Sequence, residues 1–402
     1  MAPTFTPPLS IIIVGCGVFG LSTARTLSDR YPSTIVTVID KHAFPCPYSA
    51  SIDSSRIVRA DYADPAYSIL GREALRHWAG HLAFHKTGLV VTADGENKYL
   101  NDSYGNVKSE VGVEYLPTEK DIAGLMAGGC SGKSGYVNWN SGWVDAETAM
   151  RMLHSEVESR ENVRFLIAEV SGLLYSGRRV LGVKLLDGKE VTAGLTILAA
   201  GAWTPGLVPL HGRAVPSGQV IAYLTLSREE AIRYASLPVL LNLTTGTLII
   251  HSPSTSPPTL KFARHAQGYA SPTPVFPKAI PQEGEGALRD AVKQLVPEFS
   301  ERPFEKTRVC WYTDTPDGDF LVTWHPEYEG LFIASGGSGH AFKFLPVLGG
   351  EIVDVLVGKG RFGKKWGWKE HVGGLGDGSR GGGDAGRVPL EELLLEGGRS
   401  KL

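Results

Sequence analysis

The sequence predicts an α/β fold, a doubly wound parallel sheet interrupted by a second, mainly antiparallel sheet domain. Three observations predict it. Residues 10–14 are an apolar, β-branched run that leads straight into Gly15-Cys16-Gly17-Val18-Phe19-Gly20, a helical stretch to Arg30 and a strand over 35–39 ending on Asp40. A later buried run, 195–199, again ends in small residues, Ala200-Gly201-Ala202. From Gly218 the pattern changes to long strands with few helices between them.

The first stretch reads as strand, G-x-G-x-x-G, helix, strand and acid, with Asp40 twenty residues after Gly20. Gly15 suits the tight turn, Gly17 lets backbone approach a pyrophosphate, and Gly20 lets the helix pack close to the strand. The N-terminus of the helix expected over Leu21–Arg30, with Val18 and Phe19 just before it, offers N–H groups and a positive dipole end to phosphates. Asp40, with Lys41 beside it, can accept from ribose hydroxyls. The motif alone leaves NAD and FAD open. The second small-residue segment, Ala200, Gly201 and Trp203, favours FAD, because a larger cofactor is held at both ends.

The 402 residues suit two domains, and a hydrophobic content of 42% supports a large core. A net charge of −2 gives no reason to expect nucleic acid or an acidic membrane as partner. No apolar run reaches the roughly 18 residues a membrane span needs, and the N-terminal residues lack the basic and apolar regions of a secretory signal. Cys16, Cys46, Cys130 and Cys310 form no CxxC pair and no metal-ligand spacing. They read as reduced thiols of an intracellular protein, with no metal. The chain ends in Ser400-Lys401-Leu402, after a Gly-rich stretch over 373–386. S-K-L is a receptor-read address for the peroxisome.

In order, a Pro- and Ser-rich loop over 41–55 leads into Arg56-Ile57-Val58-Arg59-Ala60-Asp61-Tyr62. Its two arginines share a face if the segment is a helical turn. A helix is expected over 65–79 and a strand over 88–93, then an irregular stretch over 94–140 with one helix at 119–126. Asp145 suits the N-cap of a helix to 159. Four or five short strands fill 163–199, with turns at Ser176-Gly177 and Asp187-Gly188. Strands over 219–226, 238–243, 248–251 and 260–264 follow, interrupted by helices near 228–235 and 287–299. Strands over 308–312, 320–323 and 331–334 precede Gly336-Gly337-Ser338-Gly339-His340 and a helix over 344–357. Glycines before a helix again suggest a backbone pocket, here for a flavin edge or an anion. Beyond Gly358 the tail reads as surface or disordered.

These segments, IIIVGCGVFG with Asp40, RIVRADY, ILAAGAWT, LKFARH, CWYTDTPDGDF and GGSGHAFK, resemble in order the motifs of the sarcosine oxidase and fructosyl amino acid oxidase family of FAD-dependent amine oxidases. The resemblance covers residues 9–360. CWYTDTPDGDF is most similar to the branch of secondary amino acid oxidases that includes L-pipecolate and saccharopine oxidases.

The resemblance implies a glutathione-reductase-like (D-amino-acid-oxidase-type) FAD domain with an inserted substrate domain. Residues 1–85, 140–215 and 305–372 are expected to bind FAD, 86–139 and 216–304 to form the substrate domain, and 373–402 to be a tail. The activity implied is oxidation of a carboxylate-bearing secondary amine to the imine, with O2 reduced to H2O2, by a monomer. Deglycation of fructosyl amino acids, amine oxidation in specialised metabolism, and a low-turnover flavin-binding protein are the alternatives.

Residue roles follow from the same resemblance. Cys310 matches the cysteine linked to the flavin C8 methyl; its plain reading is a small buried core residue. Lys261 matches the lysine that activates oxygen, where a fixed cation stabilises developing superoxide; otherwise it is a solvated lysine at a strand end. His265 matches a second active-site position, or is an ordinary histidine. Arg59 and Lys343 match the pair that binds the substrate carboxylate, against a surface salt bridge of Arg59 with Asp61 or Asp64. Arg56 matches a flavin-contacting arginine, and Ser55, Gly337, Ser338, Gly339 and His340 join the cofactor set. Two departures bear on the substrate: Ile52 stands where the sarcosine oxidase branch has histidine, and Ala341 where glycine is usual.

Overall fold

The computed structural model describes residues 5–252, 257–265, 268–271, 273–370 and 388–389. Ser400-Lys401-Leu402 and the glycine-rich stretch before it lie outside the described residues. Among the described residues no helix is long and apolar enough to cross a membrane. The chain divides into two units, the first comprising Met1–Ile52, Glu147–Pro216 and Trp311–Gly376. The second comprises Asp53–Ala146 and Ser217–Cys310.

The first unit is built on a six-stranded sheet. Its order is Leu321–Trp324, Leu331–Ser335, Leu195–Leu198, Ser10–Val14, Ile35–Asp40 and Val163–Ile167. All neighbours are parallel except the edge strand Leu321–Trp324. The central strands are β-branched and buried on both faces, as a sheet covered on two sides requires. Helix Val18–Arg30 begins three residues earlier than the sequence suggests, because Gly17 is already its N-cap and Gly20 lies inside it. It packs against helix Leu345–Leu356 so closely that a Cβ on Gly349 would lie 1.9 Å from the Ser22 carbonyl oxygen. Strands Val170–Ser176, Arg179–Leu185 and Glu190–Thr192 form a separate antiparallel sheet. With Val163–Ile167 and Leu195–Leu198 they make five short strands over 163–199.

In the second unit, strands Thr259–Arg264, Thr247–Ser252, Val239–Asn242, Leu89–Ala93, Ser134–Asn138 and Val113–Leu116 follow one another in a large sheet. Val215–Thr225 flanks Thr259–Arg264 and also pairs with Lys306–Asp314. From Val215–Thr225 through Thr259–Arg264 to Val113–Leu116 the pairing is antiparallel as expected, save for the parallel contact of Val239–Asn242 with Leu89–Ala93. Two expectations are corrected. Residues 94–140 are largely regular, with helix Lys98–Val107 and strands Val113–Leu116 and Ser134–Asn138 besides helix Glu119–Leu125. Asn, Asp, Ser and Gly inside the first helix have weak helical preference. Packing of Leu100 and Val107 into the core and the Asn97 side-chain cap on Leu100 N–H outweigh that. The second correction is that Arg56–Val58 is a strand, not a helical turn, pairing with Gly142–Val144 through the β-branched Ile57 and Val58. Arg56 and Arg59 therefore enter different clusters.

Candidate cofactor and active site

In the first unit the nucleotide motif folds as its glycines require. Gly15 has φ +111°, and a Cβ there would lie 2.4 Å from the Ala199 carbonyl oxygen. A Cβ on Gly20 would lie 1.9 Å from the Gly15 carbonyl. Gly17 differs, because an added Cβ would meet only the movable Ser51 and Ser49 hydroxyls, at 3.2 and 3.7 Å. The protein itself gives little reason for glycine at 17, whereas an approaching pyrophosphate does. Asp40 Oδ2 accepts from Cys16 N–H at 2.8 Å and Oδ1 from His42 N–H at 3.1 Å, which leaves lone pairs for ribose. Val18 N–H donates to Ser51 Oγ at 2.9 Å. Lys41 is exposed and pairs with Glu169 at 3.0 Å. Burial and the nearby Asp40 push the Cys16 thiol up, so it stays protonated and unreactive. These features fit FAD.

The two C-terminal motifs of this unit brace each other. Ser338 is in the left-handed region at φ +48°, and its N–H donates to the Thr313 carbonyl at 2.9 Å. Its Oγ accepts from Thr315 N–H at 3.1 Å. His340 Nε2 lies 2.8 Å from the Gly318 carbonyl. Gly337 presses on Phe19, where a Cβ would be 3.0 Å from the ring. Phe19 of the nucleotide motif thus supports the glycine turn. Lys343 is buried and donates to the His340 carbonyl at 2.8 Å. Gly201 turns at φ +53°, and the adjoining Trp203 is partly exposed.

The second unit holds a charged cluster on one face of its sheet. Tyr223 and Lys261 are direct cross-strand partners, so their side chains share that face. Arg308 and Cys310, two apart on a strand, share a face with each other. Lys261 Nζ donates to Asp53 Oδ2 at 2.7 Å and to the Ser55 carbonyl at 2.7 Å. Its third N–H has no acceptor among the described residues. Arg56 also pairs with Asp53, and its Nη2 lies 3.8 Å from Cys310 Sγ. Arg308 reaches Asp53 at 3.2 Å, and the Tyr223 hydroxyl donates to it at 2.5 Å. Burial acts against charge on Asp53, but Arg56, Lys261 and Arg308 overcome it and hold the carboxyl well below its usual range. Burial and the Arg56 charge bring Lys261 down to about 7, against the pull of Asp53.

Arg59 is apart from this cluster and buried. Its guanidinium lies 4.6 Å over the Tyr62 ring, and Nη2 is 3.5 Å from the Tyr99 hydroxyl. Nη1 is buried with no partner among the described residues. Asp61 does not take it; that carboxylate accepts from Asn138 Nδ2 at 3.0 Å and Ser141 Oγ at 2.7 Å, while Asp64 caps helix Pro65–Trp78. Burial disfavours the Arg59 charge, but Tyr99, Tyr62 and Asp61 outweigh it and the net shift is upward. His265 lies just past the strand end, its N–H bonded to the Gly246 carbonyl at 2.8 Å.

The structure thus brings Lys261, Ser55, Arg56 and Cys310 together in one unit and Gly15, Gly17, Gly20, Asp40, Gly337, Ser338, His340 and Lys343 in the other. Sequence reasoning missed Asp53, Tyr223 and Arg308. Arg308 stands two residues before Cys310 on a strand, which places it on the cysteine's face. Asp53 stands three before Arg56 and is the one acid in the loop over 41–55.

A family model for FAD dependent oxidoreductases matches residues 10–355. An amino acid oxidase of Aspergillus flavus is 31% identical, over 87% of this chain and 93% of its own length. The L-saccharopine oxidase of Schizosaccharomyces pombe is 25% identical, over 90% of this chain and 93% of its own. In fold, the deglycating fructosamine oxidase of Aspergillus fumigatus (Amadoriase II) matches with TM-score 0.87 at 26% identity, covering 97% of both chains. The chain that carries this glycine-rich nucleotide motif is a member of the FAD-dependent oxidoreductase family and, within it, of the amino acid and amine oxidases that act on CH–NH groups.

Proposed function

We propose that the protein oxidises a secondary amine bearing a carboxylate, of the N-alkyl or cyclic amino acid type, to the imine, and reduces O2 to H2O2. The observation that carries this reading is Arg59, a buried guanidinium whose Nη1 amino group is unpaired among the described residues. An unpaired buried donor is costly, and a planar cation of this kind is matched by a carboxylate. Lys343 is the second carboxylate-binding cation and His265 a further active-site residue. Residues 1–85, 140–215 and 305–372 bind FAD, and 86–139 and 216–304 form the substrate domain. When bound, FAD would supply the hydride acceptor and the two electrons that reduce O2. Lys261 offers its one unused N–H as a fixed positive charge where negative charge develops on oxygen. The amine loses a hydride from carbon and a proton from nitrogen, and water then hydrolyses the imine. The reading is tested by flavin bleaching without oxygen by a secondary amino acid.

Cys310 is the covalent attachment point. The Arg56 guanidinium lies 3.8 Å from its Sγ. Cys310→Ala is expected to yield flavin that denaturant releases into the supernatant, while wild-type flavin stays with the precipitate. Flavin retained by the variant places the link elsewhere. Ser400-Lys401-Leu402 directs the protein to the peroxisome through the import receptor, an environment suited to peroxide release.

A second reading, deglycation of a fructosyl amino acid, uses the same chemistry with a longer substrate. The likeness in fold to Amadoriase II favours it.

A further inference from the structure

Three cations, Lys261, Arg56 and Arg308, converge on the single buried carboxylate of Asp53, and the Tyr223 hydroxyl donates to its other oxygen. We propose that Asp53 is the positioning residue of this cluster, the one anion that holds Lys261 Nζ in its place and in its charged form and fixes Arg56 beside Cys310. Its consequence for turnover rests on the proposed oxygen-side role of Lys261; the placement itself does not.

The geometry leaves little else to do this. The Ser55 carbonyl is the other acceptor for Lys261 and carries no charge. The groups facing the ammonium are Asp53, Arg56 and Arg308, with Tyr223 opposite on one neighbouring strand and the apolar Ile250 on the other. Lys306 lies farther off, 6.0 Å over the Tyr223 ring. Every charged neighbour except Asp53 repels a proton on Lys261. Without the carboxylate, burial and two guanidinium groups act on the lysine unopposed. Arg56 would at the same time lose its ion pair with Asp53. Tyr223 contributes direction rather than charge, because its hydroxyl fixes the rotation of the carboxylate.

The test uses the flavin-loaded protein with lysine labelled at 13Cε, the Lys261 resonance being assigned by its loss in Lys261→Met. Its pH titration is compared between wild type and Asp53→Asn, and melting is followed in both. The Lys261 midpoint is expected to fall by at least one pH unit in Asp53→Asn and to move by a few tenths at most in Tyr223→Phe. In the same Asp53→Asn protein the pH profile of reaction with O2 shifts down by the same amount. A folded Asp53→Asn whose Lys261 midpoint stays within 0.2 units of wild type overturns the proposal. Should Asp53→Asn not accumulate folded, Arg308→Gln gives the opposite sign: removing a competing cation raises the midpoint, and an unchanged value again overturns the proposal. A shifted midpoint with an unshifted oxygen profile keeps Asp53 as the positioning residue and removes Lys261 from the oxygen reaction.

Discussion

Lys261→Met is expected to slow the reaction of the reduced flavin with O2 by roughly 10²–10³-fold, the cost of deleting one preorganised charge-stabilising donor. Flavin reduction by substrate should change by far less. The side chain fits this division of labour: it is buried, fixed by two hydrogen bonds and left with one N–H that no described protein group accepts. The charged form is the active one, and Lys261 is brought down to about 7 by burial and Arg56. The wild-type rate with O2 should therefore be highest below that value and fall as pH rises through it, while the variant loses that limb. Rapid mixing of photoreduced enzyme with oxygenated buffer measures the effect. Normal rates in both half-reactions would remove Lys261 from the oxygen chemistry.

Arg59→Gln should weaken binding of carboxylate-bearing substrates by about 2–4 kcal/mol, roughly 30- to 1000-fold in Kd, as for truncation of one partner in a buried charge pair. The maximal rate of flavin reduction at saturation should fall much less. The matching control is a substrate analogue without its carboxylate, which should lose most of its affinity for wild type and little more for the variant. Because the net effect of Tyr99, Tyr62 and Asp61 raises the Arg59 pKa, this binding energy should be flat with pH on the protein side. Equal affinity in the variant would assign the carboxylate to another cation, Lys343 first.

The strand–glycine–helix–strand–acid unit was legible in the sequence, since Gly15 and Gly20 answer local steric demands. The motifs near the C-terminus were legible as motifs, but not that Thr315 and Gly318 of one brace Ser338 and His340 of the other. Helix Lys98–Val107 was hidden because its propensities are poor and tertiary packing decides it. The pairing of arginines at 56 and 59 was misleading: spacing suggests one helical face only if the backbone is helical, and Ile57 and Val58 make it a strand. Asp53 was invisible for a more general reason. A lone acid in a serine-rich loop reads as a solvent-facing side chain until cations from two distant strands meet it.

The most direct test is anaerobic bleaching of the flavin absorbance near 450 nm by a panel of sarcosine, L-pipecolate, L-proline, saccharopine and a fructosyl amino acid, at roughly neutral pH, where the amine must shed its proton to react. Full bleaching by one of the carboxylate-bearing secondary amines, with peroxide formed on admitting air, is the expected result. Bleaching by the fructosyl amino acid alone would replace the first reading with deglycation. No bleaching by any member, in yellow protein that dithionite still reduces, would contradict oxidation of this amine class and favour a low-turnover flavin-binding protein.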